Sequence, residues 1–174
     1  MQHATLTALL FIELFMSIHV VFVCLGNICR SPAAQGILEY KVAEAGLSEH
    51  ISVDSCGTAA FNIGKAPDPR SIQAAEKAGY DISQQIARQI CDDDYHRSHY
   101  VIVMDRKNLS NVEAWAPADF DGEINLLLHY QSNGGNSQIP DPFYDNAEQF
   151  DHVIRTLENA IDALLSHIRQ QHQL

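Results

Sequence analysis

Cys24 and Arg30 are separated by five residues in the run Cys24-Leu25-Gly26-Asn27-Ile28-Cys29-Arg30-Ser31. That spacing lets a short loop curl until its backbone N–H groups point inward and the arginine fork closes the ring. Such a ring is an oxyanion cradle. The equatorial oxygens of a phosphate can be met by successive amides, by a two-pronged guanidinium, and by the positive end of a helix starting near Pro32. The same field stabilises a thiolate on Cys24, the form in which cysteine attacks phosphorus, and Ser31 can donate its hydroxyl to that sulfur. Gly26 and Asn27 both tolerate the left-handed backbone that inward-pointing amides require at some positions, and the Asn27 side chain is a further brace. A cysteine at the end of an apolar strand is most often only buried. Here an arginine follows six positions on, with a Gly-Asn turn between and a Ser-Pro helix start after it, a combination that packing alone explains poorly.

A second chemical group is Asp141, which stands between Pro140 and Pro142. Prolines on both sides stiffen the loop, and a carboxyl held there can protonate a departing oxygen and then take a proton from the water that attacks a thiophosphate. Aspartate beside proline is also a common turn residue, so its spacing alone leaves both readings open.

These groups need a scaffold. Residues 18–23 form a short β-branched apolar run leading into the Cys24 loop, which reads as a buried strand. Pro32 opens a helix that carries Ile37, Leu38, Val42 and Ala45 and stops at Gly46. Residues 51–53 continue through Asp54 and Ser55 as a second strand, and 56–66 read as a surface loop. Asp68-Pro69 has the pattern of a helix cap and first helical residue, with the helix ending at Gly79. Residues 99–104 are the next buried strand, 108–115 a helix, and 124–128 the last strand. After a polar stretch at 131–138, residues 147–168 form a long amphipathic helix with Phe150, Val153, Ile154, Leu157, Ile161, Leu164 and Leu165 on one stripe. Strands that alternate with helices and are apolar on both faces imply an α/β fold with a parallel sheet covered on both sides. Ligands of such sheets sit at the carboxyl ends of strands, and Cys24 is at one.

The chain has 174 residues, 46% hydrophobic and 19% charged, which suits one soluble domain with its own core. A net charge of −11 argues against bulk nucleic-acid binding, while a small anion can still be held by amides and one or two arginines. Cys24, Cys29, Cys56 and Cys91 carry no secretory pattern and read as thiols of a cytoplasmic protein. Residues 6–15 are apolar but include Glu13, lack a basic flank and cleavage pattern, and are too short for a membrane span. Met16 stands just before the first strand, so residues 1–15 are expected to be a dispensable extension, disordered or an artefact of the start site, and 16–174 the domain.

The segment Val23-Cys24-Leu25-Gly26-Asn27-Ile28-Cys29-Arg30-Ser31-Pro32 resembles the motif of the low-molecular-weight protein tyrosine phosphatases. Pro67-Asp68-Pro69-Arg70, Ala87-Arg88-Gln89, Val103-Met104-Asp105 with Asn108-Leu109, and Asp141-Pro142-Phe143-Tyr144 look like the family's later blocks in the right order, so the resemblance covers the chain from about Ile18 onward. It implies a single-domain three-layer fold with a four-stranded parallel sheet, helices on both faces and a phosphate-binding loop after the first strand. It also implies hydrolysis of phosphotyrosine and aryl phosphates through a phosphocysteine on Cys24, with Arg30 as phosphate clamp and Asp141 as general acid and base. Leu25, Gly26, Asn27, Ile28, Cys29 and Ser31 would line or brace the phosphate site, and Phe61 and Tyr144 would form aromatic walls deep enough to favour phosphotyrosine over phosphoserine. Relatives that resemble arginine phosphatases carry a small hydroxyl residue where this chain has Ile28, which favours phosphotyrosine. Cys29 is expected to pair reversibly with Cys24 on oxidation.

Two departures stand out: Phe143 replaces a common tyrosine, and Gln85 replaces a histidine that often braces the loop. No metal or organic cofactor is implied, because thiolate, guanidinium and carboxyl supply every role. The expected partners are tyrosine-phosphorylated proteins, an autophosphorylated tyrosine kinase among the candidates.

The main rival is an arsenate reductase of similar fold, which would relay a disulfide through late cysteines, and no cysteine follows Cys91. A phosphopeptide-binding module would not need Cys24, Arg30 and Asp141 together. Cys91, His96 and His99 lack the spacing of a zinc site, and Asp92-Asp93-Asp94 reads as the solvated start of a helix.

Overall fold

β1 (Ile18–Cys24) is buried at all seven of its residues. A strand this apolar is buried on both faces only inside a sheet covered on both sides, and β1 lies there. In the computed structural model, which describes residues 17–134 and 137–174, β1 pairs in parallel with β2 (Ile51–Gly57) and β3 (Tyr100–Val103). β4 (Glu123–Leu126) pairs in parallel with β3, so the strand order is β2-β1-β3-β4. The alternation of β1 divides the core. Val20, Phe22 and Cys24 join Ile37, Leu38, Leu157 and Ile161 on one face, while Val21 and Val23 pack with Tyr95, Val101, Val103 and Val112 on the other. Burying a side chain such as Phe22 stabilises the fold by about 1.5–3 kcal/mol. The fold is thus α/β with a four-stranded parallel sheet, as expected. The two outer strands are only partly buried, contrary to the reading that every strand is apolar on both faces, because an edge strand has no outer neighbour.

The helices are α1 (Arg30–Glu44), α2 (Pro69–Lys77), α3 (Asp92–Arg97), α4 (Arg106–Trp115) and α5 (Ala147–His172). α1 starts two residues before Pro32, which still sits in the first turn where its missing N–H is not needed. α2 begins as its sequence suggests. Asp68 accepts from the Arg70 amide at 2.9 Å, Pro69 is the first helical residue, and Gly79 follows the end of the helix with φ 97°. All seven expected stripe residues of α5 are buried, and the helix runs on to His172.

Other details also differ from expectation. β2 continues to Gly57, because Gly57 pairs with Cys24 on one side and bridges to Gln89 on the other. The last strand ends at Leu126, where a 3₁₀ turn (Leu127–Tyr130) takes over. Asp94 is not solvated: it is buried and accepts from Arg88 Nη1 and Nη2 at 2.9 and 2.7 Å and from the Cys91 amide at 2.9 Å. No helix among the described residues is long and apolar enough to cross a membrane. The reading of residues 1–15 and of Met16 as a start, and residues 135–136 of the polar stretch, lie outside the described residues.

Candidate active site

Cys24 leaves the carboxyl end of β1, and α1 begins six residues later at Arg30, so strand and helix confine the loop at both ends. Neighbouring segments hold its carbonyls: Thr58 N donates to Cys24 O and Ala59 N to Leu25 O, both at 2.9 Å, and Asp68 N donates to Ile28 O at 2.7 Å. Asn27 takes the left-handed conformation, with φ 53°. Gly26 does not, which corrects the expectation for that residue. Glycine at 26 leaves room for a neighbouring side chain: a Cβ there would lie 2.6 Å from Asn62 Nδ2, which donates to Gly26 O at 3.2 Å.

The Asn27 side chain is the internal strut. Its Nδ2 donates to Ser31 Oγ and to Ser55 Oγ, each at 2.9 Å, and its Oδ1 accepts from the Arg88 amide at 2.9 Å. Gln85 does not reach Asn27; its Nε2 donates to Pro32 O at 3.0 Å. Asn27 N donates to Cys24 Sγ at 3.3 Å, and Ser31 Oγ stands 3.0 Å from the same sulfur and 3.1 Å from Cys56 O. The Ser31 proton thus has two acceptors within reach, and a negatively charged sulfur is the stronger of them.

Arg30 is 2% exposed and is held from three sides. Nη1 donates to Asp105 Oδ2 at 2.7 Å and to Ile139 O at 3.1 Å, and Nη2 donates to Asp141 Oδ2 at 2.9 Å. Burial disfavours the charge, but Cys24, Asp141 and Asp105 around it hold its pKa above the usual arginine value. Among the described residues, Nε is buried without a hydrogen-bond partner. The Nε–Nη2 edge is therefore the face that can accept a two-pronged anion. Asp105 does double duty, because its other oxygen accepts from the Asn108 amide at 2.8 Å as the cap of α4. The first turn of α1 has no side-chain cap and no acidic residue, which leaves its amides and helix dipole to an anion.

The loop forms the floor of a cleft. Cys24, Leu25, Gly26, Ile28, Cys29 and Arg30 of the loop line it, together with Phe61 and Asn62 from one segment and Asp141, Phe143 and Tyr144 from another. Phe61 and Tyr144 project freely, 64% and 95% exposed. Asn27 and Ser31 turn their side chains behind the floor, so they brace the loop and do not line the cleft through those groups. The described thiols Cys24, Cys29, Cys56 and Cys91 are all unpaired. Burial pushes the Cys29 thiol far up, with Asp68, Cys24 and Asp141 adding to the shift. It stays protonated at neutral pH.

Sequence reasoning did not pick out Asp105, Asn62, Ser55 or the Arg88 amide as parts of this site. Asp105 carried a usable signal, a cap residue directly after a buried strand. The others sit in segments whose approach to the loop nothing local announces.

Residues 19–174 match the family model described as Low molecular weight phosphotyrosine protein phosphatase. The chain is 36% identical over 135 residues to a low molecular weight phosphotyrosine protein phosphatase from Schizosaccharomyces pombe, covering 77% of this chain and 86% of that one. It is 32% identical over 157 residues to the low molecular weight protein-tyrosine-phosphatase YfkJ from Bacillus subtilis, covering 90% and 99%. The crystal structure of a protein tyrosine phosphatase from Entamoeba histolytica, with Hepes in its active site, superposes with a TM-score of 0.84 at 29% identity, covering 89% of this chain and 99% of that one.

Proposed function

Because the chain belongs to the low molecular weight phosphotyrosine protein phosphatases, a family of hydrolases, we propose that it cleaves phosphotyrosine through a covalent phosphocysteine on Cys24. The observation that carries this reading is the geometry at the sulfur. Cys24 Sγ lines the cleft with a hydroxyl and an amide at 3.0 and 3.3 Å, and on the Nε–Nη2 edge of Arg30 Nε is without a partner among the described residues while Nη2 is held by Asp141. A phosphate in the cradle takes that edge and displaces the Asp141 carboxylate from Nη2. Once released from Arg30, Asp141 takes up a proton from solvent. The Cys24 thiolate then attacks in line: the S–P bond forms as the P–O bond to the phenol breaks, and Asp141 passes that proton to the leaving oxygen. In the second step the Asp141 carboxylate takes a proton from water, which attacks phosphorus and releases Cys24. Ser31 and the Asn27 amide stabilise the sulfur each time it carries charge.

Phe61 and Tyr144, exposed in two different segments that line the cleft together with Ile28, suit contact with an aromatic ring. That supports phosphotyrosine on a protein as the substrate class. Cys29 is a free thiol lining the same cleft as Cys24, which places it to condense with a sulfenic acid on Cys24 to a disulfide and water; its raised pKa makes that condensation slow, because the thiolate is the attacking form.

The test is a pre-steady-state assay with p-nitrophenyl phosphate near pH 6, with chelator present. A trapped phosphoenzyme in the wild type, none in Cys24→Ser, and a large loss of rate in Asp141→Asn are the expected results. Equal turnover by wild type and Cys24→Ser would remove the cysteine loop from the chemistry.

A further inference from the structure

Arg70 lies outside the cleft, 38% exposed in its side chain, yet it links three parts of the molecule. Its Nε and Nη2 donate to the two oxygens of Asp68 at 3.0 and 2.8 Å. Nη2 donates also to Phe143 O at 3.0 Å, and Nη1 to Asp145 O at 3.3 Å. Its guanidinium lies 4.5 Å from the ring centre of buried Phe150 on α5. Asp68, its partner, hands the Ile28 carbonyl of the Cys24 loop an amide hydrogen bond at 2.7 Å.

The segment that receives Arg70 is the one that carries Asp141. Pro140 and Pro142 bring no amide donors, the Phe143 amide turns back to Asp141 Oδ1 at 3.3 Å, and the Asp145 amide to Pro142 O at 2.9 Å. These local bonds shape the turn. On its N-terminal side Ile139 is held by Arg30 Nη1 and by Met104 O, but the bond from Arg30 Nη2 to Asp141 is the one a bound phosphate takes over. On the C-terminal side the two carbonyls gripped by Arg70 hold the turn whether or not that bond is made. The route runs from the Cys24 loop through Asp68 and Arg70 to the Asp141 turn. We propose that Arg70 is a positioning residue that sets the Asp141 carboxyl against the leaving oxygen, by tying the main chain of its turn to the same helix start that holds the Cys24 loop. The planar fork matters, because a lysine ammonium keeps the charge but cannot serve one carboxylate and two carbonyls in one plane. The inference rests on the acid role proposed for Asp141.

A misplaced acid is felt most by substrates whose leaving group needs the proton. The experiment compares kcat/KM for phenyl phosphate, a poor leaving group, and p-nitrophenyl phosphate, a good one, in wild type, Arg70→Met, Arg70→Lys and Asp141→Asn, with the Tm of each. Arg70→Met keeps an apolar stem over Phe150, and Arg70→Lys keeps the charge. Both are expected to lose about tenfold more kcat/KM on phenyl phosphate than on p-nitrophenyl phosphate, in the same direction as Asp141→Asn. Equal losses on the two substrates, or no loss, in folded Arg70 variants while Asp141→Asn stays selective would overturn the positioning role and leave the acid in place. No selectivity in Asp141→Asn would overturn the acid assignment and this inference with it.

Discussion

Gly57 ends β2 beside the loop that holds Cys24, and an alanine there adds one methyl group at a position set by the sheet. A Cβ on Gly57 would lie 2.8 Å from Leu25 O and 3.1 Å from both Asn27 N and Gly26 C. An ordinary contact needs about half an ångström more. Gly57 itself cannot retreat easily. It is in register with Cys24, donates to Arg88 O at 2.9 Å and accepts from Ile90 N at 2.9 Å. The loop must give way instead, and every group that it presents to a phosphate moves with it. A misplacement near 1 Å can cost about a hundredfold in rate, so about tenfold in kcat/KM is expected for Gly57→Ala. Stability should fall by about 1–3 kcal/mol, the usual cost of an overpacked site.

Gly26→Ala is the comparison. Its Cβ would meet Asn62 Nδ2 at 2.6 Å, the end of a side chain that can swing aside for the loss of one hydrogen bond, worth about 1 kcal/mol. The assay is kcat/KM for p-nitrophenyl phosphate with the inhibition constant of inorganic phosphate, alongside thermal unfolding. A folded Gly57→Ala protein with kcat/KM and phosphate affinity within about twofold of wild type would refute the claim that this contact sets the loop.

Asp105→Asn keeps a residue that can cap α4 but removes the charge facing Arg30 Nη1, so kcat/KM should fall by about tenfold or more with little change in Tm; an unchanged phosphate inhibition constant and rate would count against Asp105 as the anchor of the guanidinium. Burial raises the Asp94 carboxyl, but bonds from Arg88 and the Cys91 amide outweigh it and hold its pKa below the usual range. A depressed folded value means that stability is present above the unfolded pKa of about 3.9 and lost as pH falls through the folded one. Asp94→Asn should therefore cost about 3 kcal/mol at neutral pH and flatten the loss of stability below about pH 4, read by denaturant melts across pH. Treated with hydrogen peroxide, the wild type should regain activity on adding thiol while Cys29→Ser does not; equal recovery in both would exclude Cys29 as the resolving thiol.

Much of the site was legible because its core is local. Cys24, Arg30 and Ser31 lie within eight residues of one loop, and a strand before it with a helix after it leaves few ways to arrange them. The same holds for α2, whose cap, first proline and terminal glycine are neighbours in the chain, and for α5, whose burial follows its 3.6-residue period. The family's resemblance added Asp141, which no spacing could connect to Cys24. What tertiary structure alone decided is which distant groups meet the loop. Asp105 reaches Arg30 across 75 positions, Asn62 reaches Gly26 across 36, and Arg70 reaches Phe143 across 73. Whether Asp94 faces solvent or Arg88, and whether Gly26 is needed for its φ or for its missing side chain, were settled by packing of the same kind. Periodicity and capping are written into short stretches because they depend on i to i+4 contacts. The order β2-β1-β3-β4, which brings the ends of non-adjacent segments to one cleft, depends on side chains burying one another across the sheet, and no short stretch contains that information.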